Sequence, residues 1–387
     1  MNRRHFLQVA ALAGLGSMAR AEDNSPPRGV LIGATGRGDY GHSDELALPD
    51  AGIQLVAIAD ADPAGLAKMA DRLLIGSRYT DYREMLAKEQ PQYAVVATRQ
   101  ADQHRDMMLA ALRAGAHVYS EKPFTTCPAE SDEVLAEAEK RGLRIAVAHQ
   151  MRLHPGVLWV KRAIEEKQFG ELLEIHAMGK QDTGAGGEDM MVLGTHLFDV
   201  MRLFAGDVQW CTARVRWQGR DITRADARVP KDNVGAVAGD DVHAQFALAS
   251  GTFGTFTSQL GRQPQSPPYG LELIFAKGAV RVVAGIDLNV FVSEGPAAWK
   301  AGAESRAWKI PAESVAPAMP AGTTSARVAN ARVVQDWLAA VREKREPVCS
   351  GRHAAMAVEM VAGVYRAALE QKRVGFPLTE RGHPLLG

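Results

Sequence analysis

Short apolar runs alternate with amphipathic stretches through the first part of this chain. Apolar runs fall at 29–32, 54–59, 93–98, 117–120 and 144–148. Helix-like stretches lie between them at 62–74, 102–114 and 131–141, the last two stopped by Gly115 and Gly142. Continuous apolar runs of this length suit strands buried on both faces of a parallel sheet, and a glycine just past a helical stretch suits a C-terminal cap. The pattern predicts an α/β unit of alternating strands and helices. The later part reads differently. Residues 172–179 form a strand, 242–248 and 252–258 alternate around a Ser250-Gly251 turn, and 328–344 and 354–372 are amphipathic helices. Residues 264–268 read as a loop, and the Ala/Pro/Gly-rich stretch 312–324 as a connector or flap. There is no internal repeat.

The first strand runs directly into Gly33-Ala34-Thr35-Gly36-Arg37-Gly38, with Gly41 close behind. A strand, a glycine turn and a helix start make the phosphate-binding element of a dinucleotide fold, because the glycines let backbone N–H groups approach a pyrophosphate. Thr35 stands where the strict motif has its second glycine, so on this run alone an ordinary glycine-rich loop is an equal alternative. The second strand ends at Asp60, 22 residues after Gly38, close to the spacing of about 20 at which an acidic residue meets the adenosine ribose. A carboxylate there accepts from both ribose hydroxyls and repels a 2′-phosphate, favouring NAD over NADP. The other role for an acid here is a helix N-cap, which Asp62 before Pro63 fills better, leaving Asp60 for the ribose. Thr98, Glu121 and Lys122 also lie at strand carboxyl ends, where ligands bind on such sheets, so a Lys–Glu pair faces the cofactor crevice.

Composition and charge narrow the class. The chain has 387 residues, 45 basic and 45 acidic, with 46% hydrophobic and 6% aromatic residues, which suits a two-domain enzyme-sized protein. Balanced charge gives no reason to expect nucleic acid or an anionic membrane surface as partner. Cys127, Cys211 and Cys349 show neither metal-ligand spacing nor a disulfide framework, and are expected to be buried small apolar residues. At the N-terminus, Arg3-Arg4 precede a mildly apolar run over 7–18 that is too short to span a bilayer, and Ala19-Arg20-Ala21 offers a small-x-small cleavage site before Glu22. The Arg-Arg-x-Phe-Leu core resembles a twin-arginine signal, whose machinery exports folded, often cofactor-loaded proteins to the periplasm or beyond; an ordinary basic signal region is the alternative.

Several ordered segments carry a more specific resemblance. They are Tyr79-Thr80-Asp81-Tyr82-Arg83, Ala97-Thr98 with His104 six residues on, Ala111-Leu112-Arg113-Ala114-Gly115, and His117-Val118-Tyr119-Ser120-Glu121-Lys122-Pro123. Gln150-x-Arg152-x-x-Pro155, Gly170-Glu171-Leu172, Ser350-Gly351 and Val374-Gly375-Phe376-Pro377-Leu378 follow in order. Together they resemble the glucose–fructose oxidoreductase/inositol dehydrogenase (Gfo/Idh/MocA) family over nearly all of the chain beyond the signal. The resemblance implies an N-terminal Rossmann domain over 22–149 and a substrate-binding α/β domain over 150–387, with a large, open, mostly antiparallel sheet. The late helices would pack back towards the first domain, and a homo-oligomer is expected.

It also implies a site. Lys122 matches the lysine that reaches the nicotinamide and the substrate hydroxyl, and its bond to Pro123 is expected to be cis. Gly33, Thr35, Gly36, Arg37, Gly38, Asp60, Thr98, His104, Glu121, Lys122 and Gln150 are the expected cofactor contacts. Arg152, Lys180 and Asp182 join Lys122 and His196 as expected substrate contacts. The segment 186–199 resembles Gly-Gly-Gly-x-Leu-x-Asp-x-Gly-x-His-x-x-Asp, with His196 at the histidine and Val192 where the aspartate belongs. In the family those two share one helical face, since positions four apart are neighbours. Asp182, Glu188 or Asp189 are candidates to replace the carboxylate, and spacing does not choose among them. His196 suits a base near neutrality; the alternative for it is a structural role, which is the expected role of Asp199. His149 and His154 flank the domain crossover as satisfied polar groups.

Four functions compete. One is an NAD-dependent dehydrogenase taking hydride from a CH–OH of a sugar, polyol or glycoside. Another keeps its NAD bound and works redox-neutrally, by transhydrogenation or by glycoside cleavage through a transient ketone. A non-catalytic NAD- or sugar-binding protein and an interaction module are the others. Retention of Lys122 and His196 favours an enzyme.

Overall fold

The computed structural model describes residues 26–37, 48–262, 269–285, 287–295, 307–319 and 321–387. The signal-like segment, Gly38, Gly41 and the loop at 264–268 lie outside the described residues.

The first sheet contains β1 (Arg28–Ile32), β2 (Gln54–Ala59), β3 (Ser77–Tyr79), β4 (Tyr93–Val96), β5 (His117–Ser120) and β6 (Ile145–Val147). All five pairings are parallel, in the order β3-β2-β1-β4-β5-β6. Strand order reverses between β1 and β4, and that switch point opens a crevice beyond the strand carboxyl ends. The helices run where glycine and capping signals allow. Asp62 caps the helix Pro63–Leu73 by accepting from the Gly65 N–H at 2.7 Å, and Gly142, at φ 66°, ends Pro128–Arg141.

The second sheet holds nine strands: β7 (Leu172–Met178), β8 (Val208–Trp217), β9 (Arg220–Asp221), β10 (Asp241–Leu248), β11 (Phe253–Gln259), β12 (Gly270–Phe275), β13 (Gly278–Val283), β14 (Asn289–Glu294) and β15 (Val374–Gly375). Its order is β14-β13-β12-β7-β11-β10-β8-β15, with β9 on β8, and only β7 and β11 pair in parallel. Alternation along β10 and β11 turns Phe246 and Phe256 inward. Both rings make edge contacts with Phe198, at 5.3 and 4.9 Å between centroids. That grip fixes the helix Thr195–Ala205 on the sheet, and this helix carries His196.

The late helices divide the work of joining the domains. Ser325–Glu343 covers one face of the first sheet, where buried Trp337 lies 5.1 Å from the Tyr93 ring and donates Nε1–H to the Arg144 carbonyl. Gly351–Glu370 packs against Thr195–Ala205, Pro128–Arg141 and β8. All three cysteines are buried and free. Among the described residues no helix is long and apolar enough to cross a membrane, and no cluster of three or more His, Cys, Asp or Glu side chains could hold a metal ion.

Candidate active site

The glycine turn and the end of β2 meet first. Asp60 is buried, and its carboxylate accepts from the Thr35 N–H at 3.0 and 3.2 Å, the Thr35 hydroxyl at 2.8 Å and the Asp62 N–H at 2.9 Å. Asp60, expected to be left for the ribose, is thus held onto the glycine turn by Thr35 and Asp62. The residue that breaks the glycine motif, Thr35, supplies a hydroxyl and a backbone donor that draw the carboxylate onto the turn. Arg37 points its guanidinium at Asp102, 2.7 Å away, while its carbonyl accepts from the Gln100 side chain. Thr98 is buried and accepts from the Gln100 N–H.

At the end of β5, Glu121 and Lys122 are both buried, and the Lys122–Pro123 bond is cis. Glu121 accepts from the Lys122 N–H at 2.7 Å. The Lys122 Nζ donates to the carbonyl of Val192 at 3.1 Å, crossing from the first domain to the second. His104 is not at the cofactor surface. It is fully buried, with Nδ1 2.8 Å from the Pro123 carbonyl and Nε2 2.7 Å from the Thr98 carbonyl. It is a strut tying the ends of β4 and β5 together, which a match in sequence does not reveal because it says nothing about where the ring points.

The second domain brings His196 by an unexpected route. Residues Met190–Gly194 form a π-helical turn that leads into Thr195–Ala205. A π turn carries an extra residue relative to α, and such turns cluster at functional sites. Three successive carbonyls of this turn take side-chain donors: Met191 from the Thr195 hydroxyl, Val192 from Lys122, and Leu193 from the Tyr269 hydroxyl. The Val192 side chain is half-buried against the core. Close approach to the sheet also matters just upstream, where a Cβ on Gly187 would sit 2.1 Å from the Ala238 carbonyl oxygen.

Three carboxylates were candidates for the vacancy at 192. Asp182 accepts from the Gly184 N–H in its own loop, and Glu188 pairs with Arg228 at 3.4 Å. Asp189 alone of the three is buried, with one oxygen accepting from the Ser258 hydroxyl at 2.7 Å and the Lys180 N–H at 2.8 Å. Burial pushes its carboxyl up to about 7. Lys180 itself is at the rim, its side chain 44% exposed and its Nζ 4.0 Å from Asp182. Gln181 is buried and spent on backbone groups of Gly179, Thr257 and Gln259.

Arg152 corrects another expectation. Its side chain is buried, with Nε donating to Asp199 at 2.7 Å and Nη1 to the Val348 carbonyl, so its guanidinium is spent within the second domain rather than on a substrate. A guanidinium is drawn there because Asp199 is fully buried and needs a counter-charge. Burial alone would raise that carboxyl; Arg152 and His149 beside it hold it well below the usual carboxylate range. His154 caps the helix Pro155–Glu165, accepting from the Gly156 N–H at 3.1 Å. His149 is the residue that reading by sequence undervalued. It follows β6 as Glu121-Lys122 follow β5, and the same strand-end rule would have selected it.

These residues fit a dinucleotide. Dinucleotides bind beyond the carboxyl ends of such strands as β1, β2, β4 and β5, and there the glycine turn is held by the Gly33 N–H on the Ala59 carbonyl while Gln150 keeps a buried Oε1 with no hydrogen-bond partner in the protein. Gly33, Thr35, Gly36, Thr98, Glu121, Lys122 and Gln150 are the residues there that would hold NAD.

Comparisons with known proteins agree with that geometry. Residues 28–149 match the model for an oxidoreductase family with an NAD-binding Rossmann fold, and residues 157–281 match the GFO/IDH/MocA C-terminal domain. D-apiose dehydrogenase of Paraburkholderia graminis is 26% identical over 348 residues, which cover 86% of each chain. Inositol 2-dehydrogenase of Salmonella typhimurium is 30% identical over 152 residues, 38% of this chain and 45% of that protein. Among solved structures, levoglucosan dehydrogenase in complex with NADH superposes with a TM-score of 0.72 at 20% identity, covering 90% of this chain and all (100%) of that one. An oxidoreductase from Agrobacterium radiobacter in complex with NAD+, L-tartaric acid and magnesium gives 0.70 at 18% identity, covering 91% and 98%. With both domain models matched in order around a crevice that fits NAD, the chain belongs to the Gfo/Idh/MocA family of NAD(P)-dependent oxidoreductases acting on CH–OH groups.

Proposed function

We propose that this protein oxidises a secondary CH–OH of a sugar, polyol or glycoside in the periplasm, or outside the cell, with NAD that stays bound between turnovers. NAD, when bound, supplies the hydride acceptor. Lys122 positions the reacting hydroxyl beside the nicotinamide, His196 takes the hydroxyl proton, and Glu121 holds the Lys122 backbone. Lys180 and Asp182 at the rim contact the remaining hydroxyls. The observation that carries this reading is the Lys122 Nζ contact with the Val192 carbonyl, four residues before His196, which ties Lys122 across the domain boundary to the turn leading into the His196 helix. Relatives named for dehydrogenation of apiose and inositol support a carbohydrate substrate.

The retained cofactor follows from the N-terminal Arg3-Arg4 signal: no free NAD pool is expected outside the cytosol, and the twin-arginine route exports folded, cofactor-loaded proteins. Homo-oligomerisation is part of the same proposal. A second reading, redox-neutral cleavage or transhydrogenation, is favoured by the same compartment, since it regenerates the bound NAD in every cycle; Val192 in the carboxylate position favours instead a non-catalytic binding protein. One experiment separates them. Mature protein purified without added nucleotide is denatured and its supernatant assayed for NAD(H); the native protein is incubated with a sugar and glycoside panel and the products weighed by mass spectrometry. Released NAD(H) with one equivalent of oxidised sugar supports a dehydrogenase awaiting a second substrate. Multiple turnovers to isomerised or cleaved product support the redox-neutral reading, and a nucleotide-free supernatant overturns the retained cofactor.

A further inference from the structure

His149 enters the buried space behind His196 from the first domain. It is 2% exposed, and its ring centroid lies 5.2 Å from that of His196, tilted by 49°. Its Nδ1 is 3.6 Å from Asp199 Oδ2, and neither ring nitrogen has a hydrogen-bond partner in the protein. Asp199 lies three residues beyond His196 on the same helix, anchored by Arg152 Nε at 2.7 Å. The carboxylate, the first imidazole and the second imidazole thus form a row, with the middle member from the opposite domain. The backbone on either side of His149 is fixed as well: its carbonyl faces the Cys349 thiol at 3.4 Å, and β6 precedes it.

A buried imidazole whose nitrogens meet no closer partner than Asp199, at 3.6 Å from Nδ1, is costly unless those groups serve something. A family carboxylate at position 192 would orient the histidine from within its own helix; here Val192 has none to offer. We propose that Asp199 and His149 together replace it: Asp199 fixes the His149 ring through its Nδ1 edge, and His149 fixes the plane of the His196 ring. His149 is thus a positioning residue. Acting from the first domain, it aligns His196 only when the domains are docked, so the nicotinamide and the base are brought into register together. A displacement of about 1 Å in such a group is enough to cost about 100-fold in rate.

The proposal rests on His196 as the proton-transfer group, and the test separates the two. His149→Phe preserves ring packing and removes both nitrogens; His149→Asn keeps a donor at the Nδ1 position facing Asp199. Selective ¹⁵N labelling of histidine reports the His196 ring in the NAD-loaded protein whether or not it turns over. With His149→Phe the His196 ring nitrogens should shift and broaden, kcat should fall about 10- to 100-fold with KM within about twofold, and bound NAD should stay stoichiometric. His149→Asn should recover part of kcat and a single sharp His196 signal. Unchanged His196 signals in a folded His149→Phe protein would overturn the proposal. If His196→Ala turns over normally while His149→Phe still perturbs the His196 ring, the positioning stands and the assignment of His196 as base falls. Should His149→Phe fail to fold, His149→Asn decides: His196 ring signals displaced from wild type with a partial fall in kcat at unchanged bound NAD support the positioning, and a His196 spectrum and kcat identical to wild type overturn it.

Discussion

The Nζ of Lys122 donates to the main-chain carbonyl of Val192 at 3.1 Å, so the lysine that ends a Rossmann strand is latched to the π turn preceding His196. On the proposed mechanism a substrate hydroxyl would meet an ammonium already oriented by the other domain. Because Lys122 is buried and the latch is one hydrogen bond, its removal should affect chemistry far more than folding.

Lys122→Ala is therefore expected to lower kcat by about 100-fold or more, the scale of a positioned acid–base group, while bound NAD stays near stoichiometric. Steady-state kinetics with nucleotide quantification checks this; a loss of NAD matching the loss of rate would make Lys122 a cofactor anchor alone.

Arg152 is the counter-case. Its guanidinium and the Asp199 carboxylate are both buried, at 5% and 0% side-chain exposure, and breaking such a pair leaves an uncompensated charge. Arg152→Ala should cost about 3 to 5 kcal/mol of stability, seen as a lowered denaturant midpoint with the decline steepest above the carboxyl's unfolded range. A stable variant with a raised KM would return Arg152 to the substrate pocket.

The turn held by Asp60 predicts a cofactor phenotype. Asp60 takes two N–H donors and a hydroxyl from Thr35 and Asp62, so Asp60→Ala releases the loop that cradles the pyrophosphate and removes a negative charge from that end of the crevice. NAD affinity should fall by about tenfold or more, and discrimination against NADP should narrow. Isothermal titration of nucleotide-stripped protein with both dinucleotides reads the two effects; unchanged NAD binding would show that the turn holds itself.

Much of this site follows from where strands end. The alternation of apolar runs places Asp60, Thr98, Glu121 and Lys122 at one edge of a parallel sheet, and the structure puts them there. What the sequence hid is direction and register. His104 and Arg152 match family positions, yet their side chains turn inward to carbonyls and to Asp199, because burial and pairing across 19 and 47 residues are not written in local pattern. The π turn was hidden for a related reason: a helical reading assumes 3.6 residues per turn, and only the donors of Lys122, Thr195 and Tyr269 around the widened turn reveal the departure.

Asp189 links the site to pH. Its carboxyl rises from 3.8 to about 7 through burial, so the folded state holds a proton that the unfolded state releases. The stability from that proton is complete below the unfolded value near 3.8 and is lost as pH climbs through about 7. At about 1.4 kcal/mol per unit, the group's contribution falls by up to about 4 kcal/mol across that window. Asp189→Asn keeps an acceptor for Ser258 and Lys180 and cannot titrate. Relative to wild type it should gain stability from pH 5 to 8, measured as the difference in unfolding free energy at the two ends. Parallel pH profiles for the two proteins would show that Asp189 ionises normally.

Val192→Asp tests whether the missing carboxylate is missed. In the usual arrangement an acid at 192 would orient His196 along a helical face, but here the Val192 carbonyl, within a π turn, already engages Lys122. A carboxylate introduced beside that ammonium would pair with it and withdraw it from the substrate hydroxyl. Val192 also packs, half-buried, against the hydrophobic core, so a charge there carries a desolvation cost of its own. Both effects point the same way: Val192→Asp should lower kcat by about tenfold and lower the melting temperature, with NAD still bound. If Asp199 and His149 already orient His196, nothing is gained in return. A rise in kcat would instead mean that the histidine is loosely held in the natural protein and that the carboxylate was lost without replacement.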